Sequence, residues 1–420
     1  MPYDKTHPFI RKGRDFSTFV DGAFGQMLAC RKDMQLHPDL TINATAGSLC
    51  GPDGKVTAYK TVYKVFDSID PSVKASYASA VEGPEDYRNA VFNWLNRLGN
   101  IKLAHRVVAS AGGTGAVALS AFNCSCPGED ILLPDMGWIN YRIMAQECDC
   151  GFVTYDLMEG VELSLKDLKE KSRMLMEKQG RLVVIINDPC ENPTGATYGV
   201  ERWTELVSFY NELSKKGPVV IINDIAYLDY DFDCDNATAY LGCFNDISEN
   251  VAVMLCFSCS KLLTAYGMRL GALVALAQKD EDAEALSSTC IRYGRTNWGN
   301  TNNGLMACFV EIMKNHKEEL LAEKRQAIES LKARSEAFVS GCREHGVEIF
   351  PYLGGFFITV RVEDPALLDR VTDKLIEDHI YTVKYPKGIR FAICSMSLED
   401  CKVAPARIRK AFDKALAEMK

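Results

Sequence analysis

The sequence predicts an α/β protein built on a mainly parallel sheet of seven strands, with a second, smaller α+β domain that is discontinuous along the chain. Three observations carry this. At 420 residues the chain exceeds what one hydrophobic core usually serves, so two domains are expected. Between about residues 100 and 275, short β-branched runs alternate with stretches of helical period. Those runs are apolar throughout rather than alternating, the pattern of strands covered on both faces.

Taken in order, residues 1–47 read as an arm that then joins the smaller domain. The large domain, 48–310, carries the runs Arg106–Ala109, Ile131–Leu133, Phe152–Tyr155, Leu182–Asn187, Val219–Asn223, Val251–Phe257 and Gly271–Ala277. The last of these is free to pair antiparallel. Residues 311–420 form the rest of the small domain. There the stretch Lys314–Arg343, rich in Glu, Lys, Leu and Ala, reads as one long helix leaving the sheet. A strand over Gly355–Val360, a helix over Pro365–His379, a strand over Ile389–Ile393 and an amphipathic helix from Leu398 complete it.

Composition excludes several classes. A formal charge of −8 argues against general affinity for nucleic acid or anionic lipid, which rests on a basic face. Met1 to His7 offers no apolar export core and no stretch approaches membrane-spanning length, so cytoplasmic residence is expected. The 16 cysteines are scattered through apolar segments and should be reduced and buried. Cys124/Cys126 and Cys148/Cys150 lack the spacing of a zinc knuckle, so no metal site is expected.

In open parallel sheets ligands collect at the carboxyl ends of strands. After Val251–Phe257 comes Ser258-Cys259-Ser260-Lys261, with Arg269 eight residues beyond the lysine. A lysine held in an apolar pocket or among other cations loses its proton and becomes a nucleophile towards carbonyls. Ser258 and Arg269 supply what a phosphate needs. Together they describe a site for pyridoxal 5'-phosphate; the plainer alternative is a surface lysine at a strand-to-loop junction. After Val107-Val108, the glycine-rich turn Gly112-Gly113-Thr114-Gly115 opens a helix whose start suits a phosphate. The same turn fits a dinucleotide fingerprint, but the acidic pair Glu129-Asp130 precedes the strand Ile131–Leu133 instead of following it. Asn192 is presented from the turn Asn192-Pro193-Thr194-Gly195, and Asp224 directly follows an apolar strand, where a carboxylate needs a partner. A protonated pyridine nitrogen would serve, with Tyr227 in reach of the neighbouring ring oxygen. Taken singly, Asp224 also reads as a helix cap and the turn as ordinary turn chemistry.

The ordered set Gly112-Gly113-Thr114-Gly115, Trp138, Asn192-Pro193-Thr194-Gly195, Asp224-x-x-Tyr227, Ser258-x-Ser260-Lys261, Arg269-x-Gly271 and Arg390 resembles the aspartate and aromatic aminotransferases, class I/II enzymes of fold type I. The resemblance runs from about Asn43 to the C-terminus. It implies that Lys261 carries the coenzyme aldehyde and then serves as the base at the substrate Cα. It implies that Asp224 keeps the ring nitrogen protonated, that Asn192 and Tyr227 hydrogen-bond the phenolic oxygen, and that Trp138 stacks on the ring. Gly113, Thr114, Ser258, Arg269 and Ser260 would hold the phosphate. Tyr77 resembles the tyrosine that reaches a neighbouring subunit's phosphate, which implies a homodimer. Arg390 would pair with the substrate α-carboxylate, with the backbone of Gly47 close to it. Arg292 or Arg295 corresponds to the region that donates an arginine for a dicarboxylate side chain, although Tyr293 and Trp298 there equally suit an aromatic ring. Glu191 departs from the commoner neighbour of the turn asparagine.

The implied reaction moves the amino group of an L-amino acid, aspartate or an aromatic one, to a 2-oxo acid such as 2-oxoglutarate by ping-pong chemistry. A cysteine-conjugate β-lyase shares Lys261 and Asp224. A ligand-sensing regulator with an aminotransferase-like domain is disfavoured by the acidic balance and by the few dozen residues before the first matching loop.

Overall fold

The computed structural model describes residues 7–11, 14, 15, 17, 22–233 and 236–419; part of the expected N-terminal arm, including Met1–Thr6, lies outside them. Seven strands form the central sheet: β1 (Ala104–Ser110), β2 (Asp130–Pro134), β3 (Gly151–Tyr155), β4 (Leu182–Asn187), β5 (Val219–Asp224), β6 (Val251–Ser258) and β7 (Gly271–Ala277). Their spatial order is β1-β7-β6-β5-β4-β2-β3, with β7 antiparallel to both neighbours and every other pairing parallel. The apolar, β-branched runs Leu182–Ile186 and Val219–Ile222 are explained by burial of every residue in β4 and β5. One face of the sheet packs into a core containing Leu182, Ile221, Leu255 and Val274, the other into one containing Val183, Ile222, Met254 and Leu273. This alternation is the period-2 pleat of a doubly covered sheet.

A separate core gathers Ile42, Ala44 and Leu49 with Ile328, Phe338, Val360, Phe391 and Ile408. Its sheet consists of β8 (Ile358–Arg361), β9 (Val383–Tyr385) and β10 (Gly388–Phe391), in the order β8-β10-β9 and antiparallel. Ile42–Asn43 pairs in parallel with Ile380–Tyr381, which ties the start of the chain to this unit.

Two local expectations are corrected. The helix expected over Lys314–Arg343 is two, Asn303–Asn315 and Lys317–Glu344, because His316 leaves helical geometry at φ −133°, ψ 20°. No Gly or Pro marks that break, so periodicity runs through it. The strand expected over Gly355–Val360 starts only at Ile358, since Gly355 holds φ 82° in a turn against Cys190. The short strand β9 has no run of its own in the sequence. Among the described residues no helix is long and apolar enough to cross a membrane. All described cysteines are free, and all but Cys126 and Cys243 are buried.

Candidate active site

The carboxyl ends of β4, β5 and β6 deliver Asn187, Asp224 and Ser258 to one edge of the sheet. There a cavity of about 440 Å³ opens, within the range of small-molecule sites. The residues bordering it come from both cores, among them Lys261 and Asp224 from the large sheet and Gly47, Phe357 and Arg390 from the small unit.

Lys261 follows β6 on a single helical turn, Cys259–Leu262, begun by the Ser258 side chain accepting from the Ser260 N–H. Its Nζ donates to the Gly47 carbonyl at 2.8 Å and lies among the rings of Tyr266, Tyr227 and Phe356 at 4.8, 5.3 and 5.4 Å. Burial brings its pKa down to about 8, with Arg390 and Arg269 pushing the same way against Cys394 and Asp224. A lysine in that state supplies free amine near neutral pH, which answers the surface-lysine alternative.

Asp224 ends β5 with 5% of its surface exposed. Burial carries its carboxyl up to about 6, while two hydrogen bonds pull it back. The Tyr141 hydroxyl donates to Oδ2 at 2.7 Å and the Ala226 N–H to Oδ1 at 3.0 Å. A carboxylate so oriented, opposite an amine, suits a cationic nitrogen in the cavity between them.

The anion cradle lies at the start of the helix Gly112–Cys124. Its N-cap, Ala111, provides no side-chain acceptor, so the first N–H groups are left for a ligand. Gly112, at φ 75°, is required there because a Cβ would collide with the Arg269 guanidinium. At Gly113 a Cβ would press on Ser258 Cβ at 3.0 Å. Arg269 Nη1 donates to Ser260 Oγ at 3.2 Å and to the Tyr266 carbonyl at 2.8 Å, and Nη2 donates to the Ala111 carbonyl. Gly113, Thr114, Ser258, Ser260 and Arg269 all border the cavity.

Arg390, on β10 and 5% exposed, donates from Nη1 to Asn192 Oδ1 at 3.2 Å and from Nη2 to the Thr45 carbonyl at 2.8 Å. Its ring neighbour is Phe357, 4.3 Å from Cζ. Nε is buried without a hydrogen-bond partner, a deficit that a carboxylate in the cavity would remedy.

Trp138, half-buried, stands edge-on to Tyr141 with ring centroids 5.5 Å apart, and both border the cavity with Asn192 and Tyr227. Lys261, Asp224, Tyr227, Asn192, Trp138, Gly113, Thr114, Ser258, Ser260, Arg269, Gly47 and Arg390 thus converge. Tyr77, 87% exposed, and the exposed Arg292 and Arg295 on the helix Asp280–Asn297 do not border the cavity of their own chain. Sequence reasoning missed Tyr141, Thr45, Tyr266 and Phe357, and it missed Phe24 and Met27 of the helix Gly22–Leu36. Only Tyr141 carried a signal, an aromatic three residues beyond Trp138.

A family model for class I and II aminotransferases matches residues 42–408. The chain belongs to the class I and II aminotransferase family. This aminotransferase is 24% identical to nicotianamine aminotransferase 1 of Oryza sativa subsp. japonica over 367 residues, covering 77% of this chain and 70% of that protein. Its fold matches that of an aminotransferase from Anaerococcus prevotii DSM 20548 with a TM-score of 0.91 at 28% identity, covering 97% of this chain and all of that one. An aromatic-amino-acid aminotransferase of Burkholderia pseudomallei, covalently bound to pyridoxal phosphate, shares the fold at a TM-score of 0.74 and 20% identity, covering 94% and 97% of the two chains. The family is dependent on pyridoxal phosphate, and the fold is that of fold-type-I aminotransferases.

Proposed function

We propose that this aminotransferase binds pyridoxal 5'-phosphate and transfers the amino group of an aromatic L-amino acid to a 2-oxo acid, 2-oxoglutarate being the acceptor first to test. The lining of the cavity carries the choice of substrate. Its cations are Lys261, Arg269 and Arg390, and the remaining wall includes Phe24, Met27, Trp138, Tyr141 and Phe357. Rings and a thioether favour an aromatic side chain over a second carboxylate.

The residues present fit the coenzyme. The uncapped helix start with Ser258, Ser260 and Arg269 would take its phosphate, Asp224 its ring nitrogen, Asn192 and Tyr227 its phenolic oxygen, and Trp138 its ring face. When bound, the coenzyme supplies an aldehyde and a ring able to accept the electrons of a broken Cα–H bond. Lys261, brought down to about 8, would hold the aldehyde and, once released, would take the proton from the substrate Cα and hand it to the carbon that had carried the aldehyde oxygen. Asp224 would hold a proton at the ring nitrogen, and Arg390 would fix the substrate carboxylate as a fork within the cavity that Lys261 borders. The reaction then runs as two half-reactions, donor first and acceptor second.

The exposed Tyr77, whose ring is open to a neighbouring subunit's phosphate site, supports a homodimer. The free, buried cysteines support a reducing compartment, the cytoplasm. An amino-donor panel with 2-oxoglutarate, read by glutamate and oxo-acid formation, tests the reading. Phenylalanine, tyrosine and tryptophan should exceed aspartate in kcat/KM. An aspartate preference would instead assign Arg292 or Arg295 of a neighbouring subunit to the side chain, and release of pyruvate from cysteine conjugates would mark a lyase. Lys261→Ala should lose both turnover and the visible absorbance of the bound coenzyme.

A further inference from the structure

Beyond the cavity, two imidazoles and a carboxylate converge where the N-terminal helix meets the small unit. Asp33 lies in the last turn of the helix Gly22–Leu36, His37 just past it, and His379 in the turn between the helix Pro365–Glu377 and the strand Ile380–Tyr381. Their ligand atoms all lie within 4.8 Å of one another. Asp33 Oδ2 and His379 Nδ1 are 2.9 Å apart across 346 residues of sequence, and the His37 and His379 ring centroids are separated by 4.5 Å.

We propose that Asp33, His37 and His379 form a binding site for a borderline divalent cation, zinc in particular, which clips the N-terminal helix to the small unit. The donor set decides the class of ion. Two imidazole nitrogens and one carboxylate oxygen suit Zn²⁺ and its neighbours, whereas Mg²⁺ and Ca²⁺ require mostly oxygen ligands. A tetrahedral ion about 2.0–2.1 Å from each ligand needs them about 3.3–3.5 Å apart, so the observed spacing closes with small side-chain rotations. The ion takes the place of the hydrogen between Asp33 Oδ2 and His379 Nδ1, which passes to the other ring nitrogen or to solvent. His37 is exposed and Asp33 and His379 half-buried, which leaves the fourth position open to water.

The surroundings hold the ligands in place. Thr41 Oγ1 lies 2.9 Å from the same Asp33 Oδ2, orienting the carboxylate. The Ile42 N–H donates to the His379 carbonyl at 2.8 Å, and the His37 N–H donates to the Asp33 carbonyl at 2.7 Å. Backbone hydrogen bonds therefore hold the main chain at all three ligand positions. An ion pair alone would need only one of the two imidazoles. The clip also bears on the cavity, because Met27, six residues before Asp33 and so about 9 Å along the same helix, borders it together with Phe24.

The test uses tag-free holoenzyme, stripped with chelator and titrated with zinc chloride in a calorimeter, alongside His37→Ala and His379→Asn. Asparagine keeps a residue tolerant of the left-handed backbone at position 379, where φ is 58°. His37 is exposed, so its truncation should leave the zinc-free melting temperature unchanged. Wild type should take up one zinc per chain and melt at a higher temperature with it. Either substitution should weaken binding at least ~10-fold and abolish the thermal shift. Absence of binding by wild type overturns the proposal. So does wild-type affinity retained in both variants, which would send the metal to the half-buried thiols of Cys126 or Cys243.

Discussion

Replacing Tyr141 by phenylalanine should make coenzyme affinity depend on pH in a way that wild type does not. The hydroxyl at 2.7 Å is one of two hydrogen bonds that oppose the rise of the Asp224 carboxyl to about 6. A hydrogen bond to a charged acceptor contributes about 1.5–3 kcal/mol. At 1.36 kcal/mol per pH unit, its loss moves the Asp224 titration up by about 1 to 2, to roughly 7–8. The sign follows directly. Near pH 7 the wild-type carboxylate is mainly ionised and the variant's mainly protonated, so the variant pairs poorly with a cationic ring nitrogen. About two pH units higher both are ionised and the difference shrinks. Titrating apo-protein with pyridoxal phosphate by fluorescence, and taking the ratio of variant to wild-type dissociation constants, cancels the separate titration of Lys261. The ratio should be about 2 to 10 near pH 7 and fall towards 1 near pH 9. A ratio that is the same at both, or that stays at 1 throughout, refutes the role given to Tyr141 and with it the pairing assigned to Asp224.

Arg390→Lys keeps the charge but loses the fork, so kcat/KM for amino acids should fall at least about 30-fold while the visible spectrum of the bound coenzyme is retained. Gly112→Ala drives a methyl into the Arg269 guanidinium from a left-handed backbone, and coenzyme titration should show affinity reduced about 10-fold or more with the far-ultraviolet spectrum preserved. Glu191 is buried, with Oε1 lacking a partner, and burial lifts its carboxyl to about 8. Its folded pKa lies above the unfolded value of 4.5, so stability present below that value is lost as pH rises to about 8. Glu191→Gln removes this dependence; denaturant melts should show the variant gaining about 2 to 4 kcal/mol on wild type between pH 5 and pH 8.

What the sequence disclosed, and what it withheld, divides along physical lines. Lys261, Asp224 and Ser258 were legible because each lies at the end of an apolar strand run, and strand ends are where parallel sheets expose side chains. Gly112 and Gly113 were legible because a glycine pair after a strand is a backbone requirement, later explained by Arg269 and Ser258. Tyr141 was not, since its partner Asp224 sits on a strand two places away in the sheet and no spacing rule links them. Phe24 and Met27 were hidden for a similar reason. The helix Gly22–Leu36 has no clear apolar stripe, and its approach to the cavity is set by the pairing of Ile42–Asn43 with Ile380–Tyr381. Arg292 and Arg295 are exposed in their own chain, so any role for them depends on a second copy.

One buried guanidinium links chemistry that is remote in sequence. Arg334, in the helix Lys317–Glu344, donates to the carbonyls of Cys50 and Cys394 at 2.8 and 3.0 Å. Those carbonyls lie three residues beyond Gly47, which accepts from Lys261, and four beyond Arg390, the proposed partner of the substrate carboxylate. Both segments are thereby yoked to one rod. A shift of that rod would reach the carbonyl against the Lys261 amine and the Arg390 guanidinium in a single stroke.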